Sequence, residues 1–168
     1  KKSNPPTMMN SNLSLMPQLP RRASIITTVM LVLAFLAFLD AGYLTITHYS
    51  NAIPPCTIGG CEKVLTSAYS VVLGIPTSLW GMLYALMIFF FVLLYRNNPT
   101  RKRTMLLMQI LGIGFLGSLG LLYLQAFVLQ AFCQYCIVFE ALILVLFLAS
   151  IDLWRSTRAL WQPPGNSI

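Results

Sequence analysis

The chain has 168 residues, of which 57% are hydrophobic and only 9% are charged. An ordinary soluble domain carries about 25% charged residues, so this composition excludes such a domain and is typical of a membrane protein. The net charge of +7 lies beside the apolar runs, which argues against a nucleic-acid-binding surface.

The first half of the chain contains two apolar runs. Residues 1–23 carry prolines and polar side chains, and we expect them to form a flexible tail. A first span is predicted from Ser24 to about Thr47 and a second from about Thr77 to Tyr95, because a bilayer core needs roughly 20 apolar residues of helix. Between them, the spacing of apolar residues within Glu62–Val72 predicts a short amphipathic helix at the membrane interface.

The second half contains one apolar run that is too long for a single span. Residues Thr104 to Ile151 include no Lys or Arg, and they fit two spans joined by a turn near Gln130 to Gln134. We therefore predict an all-α membrane protein whose residues 24–155 form a four-transmembrane-helix bundle. Residues 156–168 are expected to form a second tail.

The basic residues predict the orientation of this bundle. Ten of the eleven flank the starts of spans 1 and 3 or the ends of spans 2 and 4, and only Lys63 lies on the other side. Because cytoplasmic loops carry the excess of Lys and Arg, both termini are predicted to be cytoplasmic. The first loop and the turn between spans 3 and 4 then face the extracytoplasmic side, where disulfides persist.

Those two outer segments hold all four cysteines, as two pairs. Cys133 and Cys136 are three residues apart at the start of a helix, which puts them on one face at roughly disulfide distance. Cys136 is a turn deeper in the span, so we expect Cys133 to be the more exposed of the two. Cys56 and Cys61 enclose "TIGG", whose glycines permit a tight ring. Four cysteines allow three connectivities, and the spacing alone leaves them open.

Three interpretations of the cysteines follow. The cysteines form two structural disulfides, or a Cys₄ zinc site, or two dithiols that exchange with each other. A structural disulfide that closes so short a loop gains little entropic stabilisation. An oxidising compartment disfavours the thiolates that would bind zinc, so we expect no metal. Two dithiols, one on a loop and one at the membrane boundary, would connect water-phase thiols to an electron carrier in the lipid.

The segment "GYLTITHYSNAIPPCTIGGCEKVLTSAYSVVLGIPTSLWGMLYAL", followed by "FCQYC", resembles the vitamin K epoxide reductase family in its prokaryotic form. The resemblance covers about residues 24–155. It implies a four-helix bundle around a quinone, of the ubiquinone or menaquinone type, that is reduced with electrons from thioredoxin-like proteins. It also implies a multi-pass protein of the bacterial inner membrane that supports disulfide formation in exported proteins.

The resemblance assigns roles to individual residues. Cys133 and Cys136 match the family's active-site pair, Cys56 and Cys61 match its loop shuttle pair, and Ser67 matches a serine near the quinone. The chain ends soon after span 4, so we expect the thioredoxin-like partner to be a separate protein.

Several polar residues are further candidates for the quinone site. Glu140 stands where animal members of the family have a tyrosine, which argues against vitamin K epoxide as the substrate. An intramembrane carboxyl is a functional candidate by default, so Glu140 is predicted to contact the quinone, and Asp40 is a weaker candidate of the same kind. The only histidine, His48, is expected to be an interfacial residue.

Two alternatives to this function stay open at this point. One is a eukaryotic-type vitamin K epoxide or quinone reductase. The other is a non-catalytic four-span scaffold whose disulfides are structural.

Overall fold

The computed structural model describes residues 20–158. Four of its helices are long and apolar enough to cross a membrane, so the predicted four-span, all-α membrane fold is confirmed. Helices suit these runs because a helix satisfies its own backbone hydrogen bonds where no water is available. The elements in chain order are α1 (Arg21–Tyr49), α2 (Cys61–Leu65), β1 (Val71–Val72), β2 (Ile75–Pro76), α3 (Thr77–Asn97), α4 (Arg101–Tyr123) and α5 (Gln134–Thr157).

The four long helices surround a core that occupies one half of the bundle. Helix α1 packs against α3 and α5, and α5 also packs against α4, whereas α3 and α4 contact each other sparsely. The buried apolar cluster comes from the beginnings of α1 and α4 and from the later parts of α3 and α5, and its largest members are Met30, Ile88, Tyr95, Leu107, Leu111, Ile143, Leu146 and Leu153. The other half of the bundle, which carries the cysteines, is therefore less completely filled.

Basic side chains tie the helix ends together at the core end of the bundle. Arg22 forms a salt bridge with Asp152 at 2.9 Å, which joins the start of α1 to the end of α5. The guanidinium of Arg101 lies 5.8 Å from the ring centre of Trp154, which joins α4 to α5. Among the described residues, every Lys and Arg except Lys63 lies at this end.

Several helix ends differ from the predicted spans. α1 begins at Arg21 and α5 continues to Thr157, so each extends two or three residues into a stretch predicted as a tail. α4 begins at Arg101 instead of Thr104, because the hydroxyl of Thr100 accepts a hydrogen bond from the backbone N–H of Arg103. Apart from Pro20 and Arg158, the rest of the two predicted tails lies outside the described residues.

The amphipathic helix that we predicted within Glu62–Val72 is confirmed only over α2, so the helix is shorter than predicted. After Leu65 the chain makes a 3₁₀ turn at Ala68–Ser70, and β1 then pairs antiparallel with β2. Val71 and Val72, which we assigned to the amphipathic helix, are therefore strand residues. Leu73 and Gly74 close this hairpin with positive φ angles of 56° and 79°, which a helix does not accommodate.

Candidate redox site

The first cysteine pair forms a disulfide in the loop between α1 and α2. Cys56 is half-buried in this loop and is bonded to Cys61, the first residue of α2, which is fully buried. Cys56 is therefore the member of the pair that a soluble molecule reaches, whereas Cys61 faces the bundle. With Cys56 and Cys61 bonded to each other, the four cysteines of the described chain do not form one metal centre.

A glycine brings the loop into contact with the turn before α5. A Cβ atom added at Gly60 would lie 2.7 Å from the backbone nitrogen of Phe132, so only glycine fits at this point. Cys61 and Cys133 are the next residues of the two touching segments, and both are completely buried. The contact thus brings one cysteine of each pair to the same covered region.

Hydrogen bonds also hold the loop on both sides of Cys56. The side-chain oxygen of Gln134 accepts from the backbone N–H of Thr57 at 3.0 Å and from its hydroxyl at 2.6 Å. The carbonyl of Pro55 accepts from the amide of Gln134 at 3.3 Å and from the hydroxyl of Tyr135 at 2.9 Å. Gln134 and Tyr135 are the two residues between Cys133 and Cys136.

Cys133 and Cys136 are free thiols that differ in environment. Cys133 is the N-cap residue of α5, and its sulfur accepts a 3.4 Å hydrogen bond from the backbone N–H of Cys136. A hydrogen bond with the Cys136 thiol lowers the pKa of Cys133 to about 7, against the effect of burial, which raises it. A thiolate at Cys133 is thereby favoured.

The depth of Cys136 along the span led us to expect Cys133 to be the more exposed of the two. This expectation is wrong. Cys133 has no solvent-exposed surface, whereas Cys136 is half-buried and lines a cavity. The capping geometry turns the sulfur of Cys133 inward, and the loop segment at Gly60 covers the turn that precedes it.

The sequence analysis did not identify Gln125 as a residue of this site. Its side-chain oxygen accepts from the backbone N–H of Cys133 at 2.9 Å, and its amide donates to Glu140 at 2.9 Å. Gln125 is 3% exposed and lies in the π-helical segment Leu124–Leu129 that extends α4. Helical segments of this kind occur often at functional sites, but a glutamine near a predicted turn gave no signal of this role.

An apolar cavity of about 560 Å³ lies between the cysteine-bearing ends of α1, α3, α4 and α5. This volume is in the range of small-molecule sites, roughly 300–1,000 Å³. The cavity is open toward the surface, and its lining residues Trp80 of α3 and Leu121 of α4 are more than 40% exposed. Cys136 is the one cysteine in its lining.

Glycines of α4 make room for this cavity. Gly114 and Gly117 both line it. A Cβ atom at Gly114 would overlap the hydroxyl of Tyr84, which reaches across from α3 to donate to the carbonyl of Ile110 at 3.0 Å. A Cβ atom at Gly117 would meet no atom within 4 Å, so this glycine leaves open space.

Two carboxyl groups line the same cavity. Glu140 is 8% exposed, and one of its oxygens accepts the hydrogen bond from Gln125. The other oxygen of Glu140 and one oxygen of Asp40 are buried and have no hydrogen-bond partner within residues 20–158. A buried polar atom without a partner is rare, and in a cavity wall it favours a ligand that supplies the partner.

Ser67 and His48 are not among the residues that line the cavity. The hydroxyl of Ser67 donates to the carbonyl of Val64 at 2.7 Å and lies where α2 gives way to the 3₁₀ turn. His48 lies in the last turn of α1, with its ring edge-on to Tyr49. The contact of Ser67 with the quinone stays a prediction, and the geometry gives it less support than it gives Glu140.

The sequence of this chain matches one protein-family model. The model of the vitamin K epoxide reductase family matches residues 28–151, which include all four long helices in whole or in large part and all four cysteines. Its members are membrane oxidoreductases that use a quinone or vitamin K as the electron acceptor. With this match over most of its length, the chain belongs to the vitamin K epoxide reductase family and is a membrane oxidoreductase.

Proposed function

We propose that the protein passes electrons from a reduced thioredoxin-like protein through Cys56–Cys61, and then through Cys133–Cys136, to a quinone in the cavity. This activity would support disulfide formation in exported proteins. The observation that carries the proposal is that Cys136 lines an apolar cavity, while its partner Cys133 lies beneath the loop that holds the Cys56–Cys61 disulfide.

The first two steps are thiol–disulfide exchanges. A thiolate of the partner attacks the half-exposed Cys56, and resolution of the mixed disulfide leaves both loop cysteines reduced and the partner oxidised. Cys61 then attacks Cys133 of the oxidised Cys133–Cys136 pair and displaces the sulfur of Cys136. Attack of Cys56 on Cys61 releases Cys133. Two electrons and two protons have then moved to Cys133 and Cys136, which we call the inner pair.

The last step takes place at the cavity. Oxidation of the Cys133–Cys136 dithiol to a disulfide releases two electrons and two protons, which convert a quinone into a hydroquinone. Cys136 is the thiol that reaches the cavity, and the favoured thiolate of Cys133 closes the disulfide onto it. Apolar walls suit the ring and tail of a quinone of the ubiquinone or menaquinone type.

Glu140 and Asp40 supply the polar contacts that a quinone oxygen needs. A carboxyl with no counter-ion in an apolar wall keeps its proton, because a bare charge there is costly. Such a group donates a hydrogen bond to a carbonyl and becomes a proton source when that oxygen is reduced. The unpartnered oxygens of Glu140 and Asp40 support this role.

The proposed orientation puts both termini in the cytoplasm and the cysteines on the extracytoplasmic side of a bacterial inner membrane. The end-to-end separation of the basic residues from the cysteines supports it. The stretches of chain before α1 and after α5 would lie in the cytoplasm, with the four-span redox domain between them.

A variant of Cys136 tests the proposal. Cys136→Ser should abolish the reduction of a soluble short-chain quinone analogue by dithiothreitol, while the protein still elutes as a folded species in detergent. As a matched control, the double variant Cys56→Ser/Cys61→Ser should retain this activity, because a small dithiol can reduce the inner pair directly. Quinone turnover in Cys136→Ser would refute the route.

The alternative of a scaffold with structural disulfides makes a different prediction in cells. If the pairs are catalytic, depletion of membrane quinone should leave all four cysteines increasingly reduced. Structural bridges would stay oxidised under the same conditions, as judged by alkylation and mass shift.

A further inference from the structure

The Cys-x-x-Cys segment carries two different sets of side chains. Cys133 and Cys136, three positions apart, share the inner face of the first turn of α5. Gln134 and Tyr135 lie between them and point the other way, toward the loop that carries Cys56. The inner face therefore holds the thiols, and the outer face holds groups that bind the other cysteine pair.

The side chains of the outer face form hydrogen bonds with the residues immediately before and after Cys56. Four hydrogen bonds, at 2.6 to 3.3 Å, join Gln134 and Tyr135 to Thr57 and Pro55. We call these four residues the loop latch. All four bonds lie at exposed positions, where each is individually weak because water competes for the same groups. The latch can therefore open and close while the fold stays intact.

The loop is fixed at a second point close by. Gly60 packs directly on the backbone of Phe132, one residue before Cys133. The segment from Pro55 to Gly60 is thus held at both ends by the same short stretch of chain, residues 132–135. Pro55 adds stiffness at the first of these points, because its ring fixes the φ angle of the backbone.

We propose that Gln134 and Tyr135 are positioning residues for electron transfer between the two cysteine pairs. This inference rests on the electron transfer proposed above from Cys56–Cys61 to Cys133–Cys136, which we call the relay. It names the side chains that make the relay fast. Exchange between two dithiols needs the attacking and the attacked sulfur in contact and in line, and a loop held in place reaches that geometry far more often than a free loop. Neither residue contacts the quinone cavity.

The test measures the initial rate at which a disulfide forms between the two cysteine pairs. In the Cys56→Ser background, Cys61 has lost the thiol that resolves its bridge to Cys133, so a Cys61–Cys133 disulfide should accumulate and be seen by non-reducing peptide mapping. Adding Gln134→Leu should lower the initial rate of bridge formation by about tenfold or more, because positioning contributes strongly to such rates. Tyr135→Phe, which keeps the ring packed on Tyr43, should lower it less.

Two further variants separate positioning from a structural defect. Gln134→Glu keeps the acceptor for Thr57 and should restore most of the rate. Gln130→Asn alters a nearby exposed glutamine whose positive φ asparagine tolerates, and it should leave the rate unchanged. In the Cys56→Ser/Cys61→Ser background, Gln134→Leu should not change quinone reduction by dithiothreitol, because the loop pair is absent.

The outcomes distinguish the latch from the relay. If the Cys56→Ser parent forms no bridge between the pairs, the relay fails and the latch fails with it. If the parent forms the bridge and Gln134→Leu forms it equally fast, the relay stands and the latch is refuted. An equal loss of quinone reduction in the background without loop cysteines would mean that Gln134 acts on the inner pair itself.

Discussion

Gln125 donates a 2.9 Å hydrogen bond to the carboxyl of Glu140, and so links the turn between α4 and α5 to a side chain inside the fourth span. The same side chain accepts the backbone N–H of Cys133. One buried amide therefore fixes both the residue that begins the redox motif and a carboxyl in the cavity wall. Three residues, from the end of the third span, the turn and the fourth span, thus act as one unit.

Gln125→Leu should destabilise the protein, because it leaves the buried N–H of Cys133 and an oxygen of Glu140 without partners. The expected cost is about 2 kcal/mol or more in the free energy of unfolding. A lower midpoint of thermal unfolding in detergent would report it. Gln130→Asn is the matched control and should unfold like the parent. Equal stability of the Leu variant would show that Gln125 does not tie these groups together.

Glu140→Gln should slow the chemical step and leave the fold unchanged. The amide still accepts from Gln125 but gives up no proton, so kcat for quinone reduction should fall by about 100-fold, as is typical for the loss of a general acid. The KM for the quinone should change little. Asp40→Asn should give a smaller loss of kcat. The role as a proton donor is wrong if kcat is preserved in both variants, measured with dithiothreitol and a short-chain quinone.

Gly117→Leu should block the cavity while leaving the helices in place. An added side chain at this position meets open space in the cavity, so we expect the KM for the quinone to rise at least about tenfold without a loss of thermal stability. Gly120→Leu is the matched control, since Gly120 also has free space but is not part of the lining. Similar kinetics of the two variants would place the quinone elsewhere.

The rate of quinone reduction should rise with pH through about 7. The pKa of Cys133 is lowered to about 7, so its thiolate, which closes the disulfide onto Cys136, is present above this pH and is lost below it. The ultraviolet absorbance of the thiolate in the reduced Cys56→Ser/Cys61→Ser variant should follow the same curve. The hydrogen-bond partner Cys136 and the nearby carboxyl of Asp40 face this thiol. A midpoint near that of a free thiol would contradict the assignment.

The proposed orientation can be tested by labelling. In cells treated with a permeant reductant, a membrane-impermeant maleimide applied from the extracytoplasmic side should label Cys56 first, because it is the more exposed member of the loop pair. A cysteine introduced at Asn98, between α3 and α4, should react only after the inner membrane is opened. The reverse pattern would invert the topology.

Much of the fold follows from local sequence properties. The lengths of the apolar runs predict the four spans, and the turn at Gln130 falls where the polar residues cluster. These predictions succeed because a bilayer imposes a minimum helix length on each run separately. The helix ends were less well predicted, since α4 begins within its basic residues, where Thr100 caps the helix.

The sequence by itself determined the four spans and the separation of the basic residues from the cysteines, but it left the pairing of the cysteines open. Only the tertiary structure decided that Cys133 is buried, that Cys136 faces a cavity with Asp40 and Glu140, and that Gln125 and Gln134 connect the parts. The physical reason is the range of the interactions. Span length and charge act along each segment, whereas the cavity and the hydrogen bonds join side chains from segments that come together only when the helices pack.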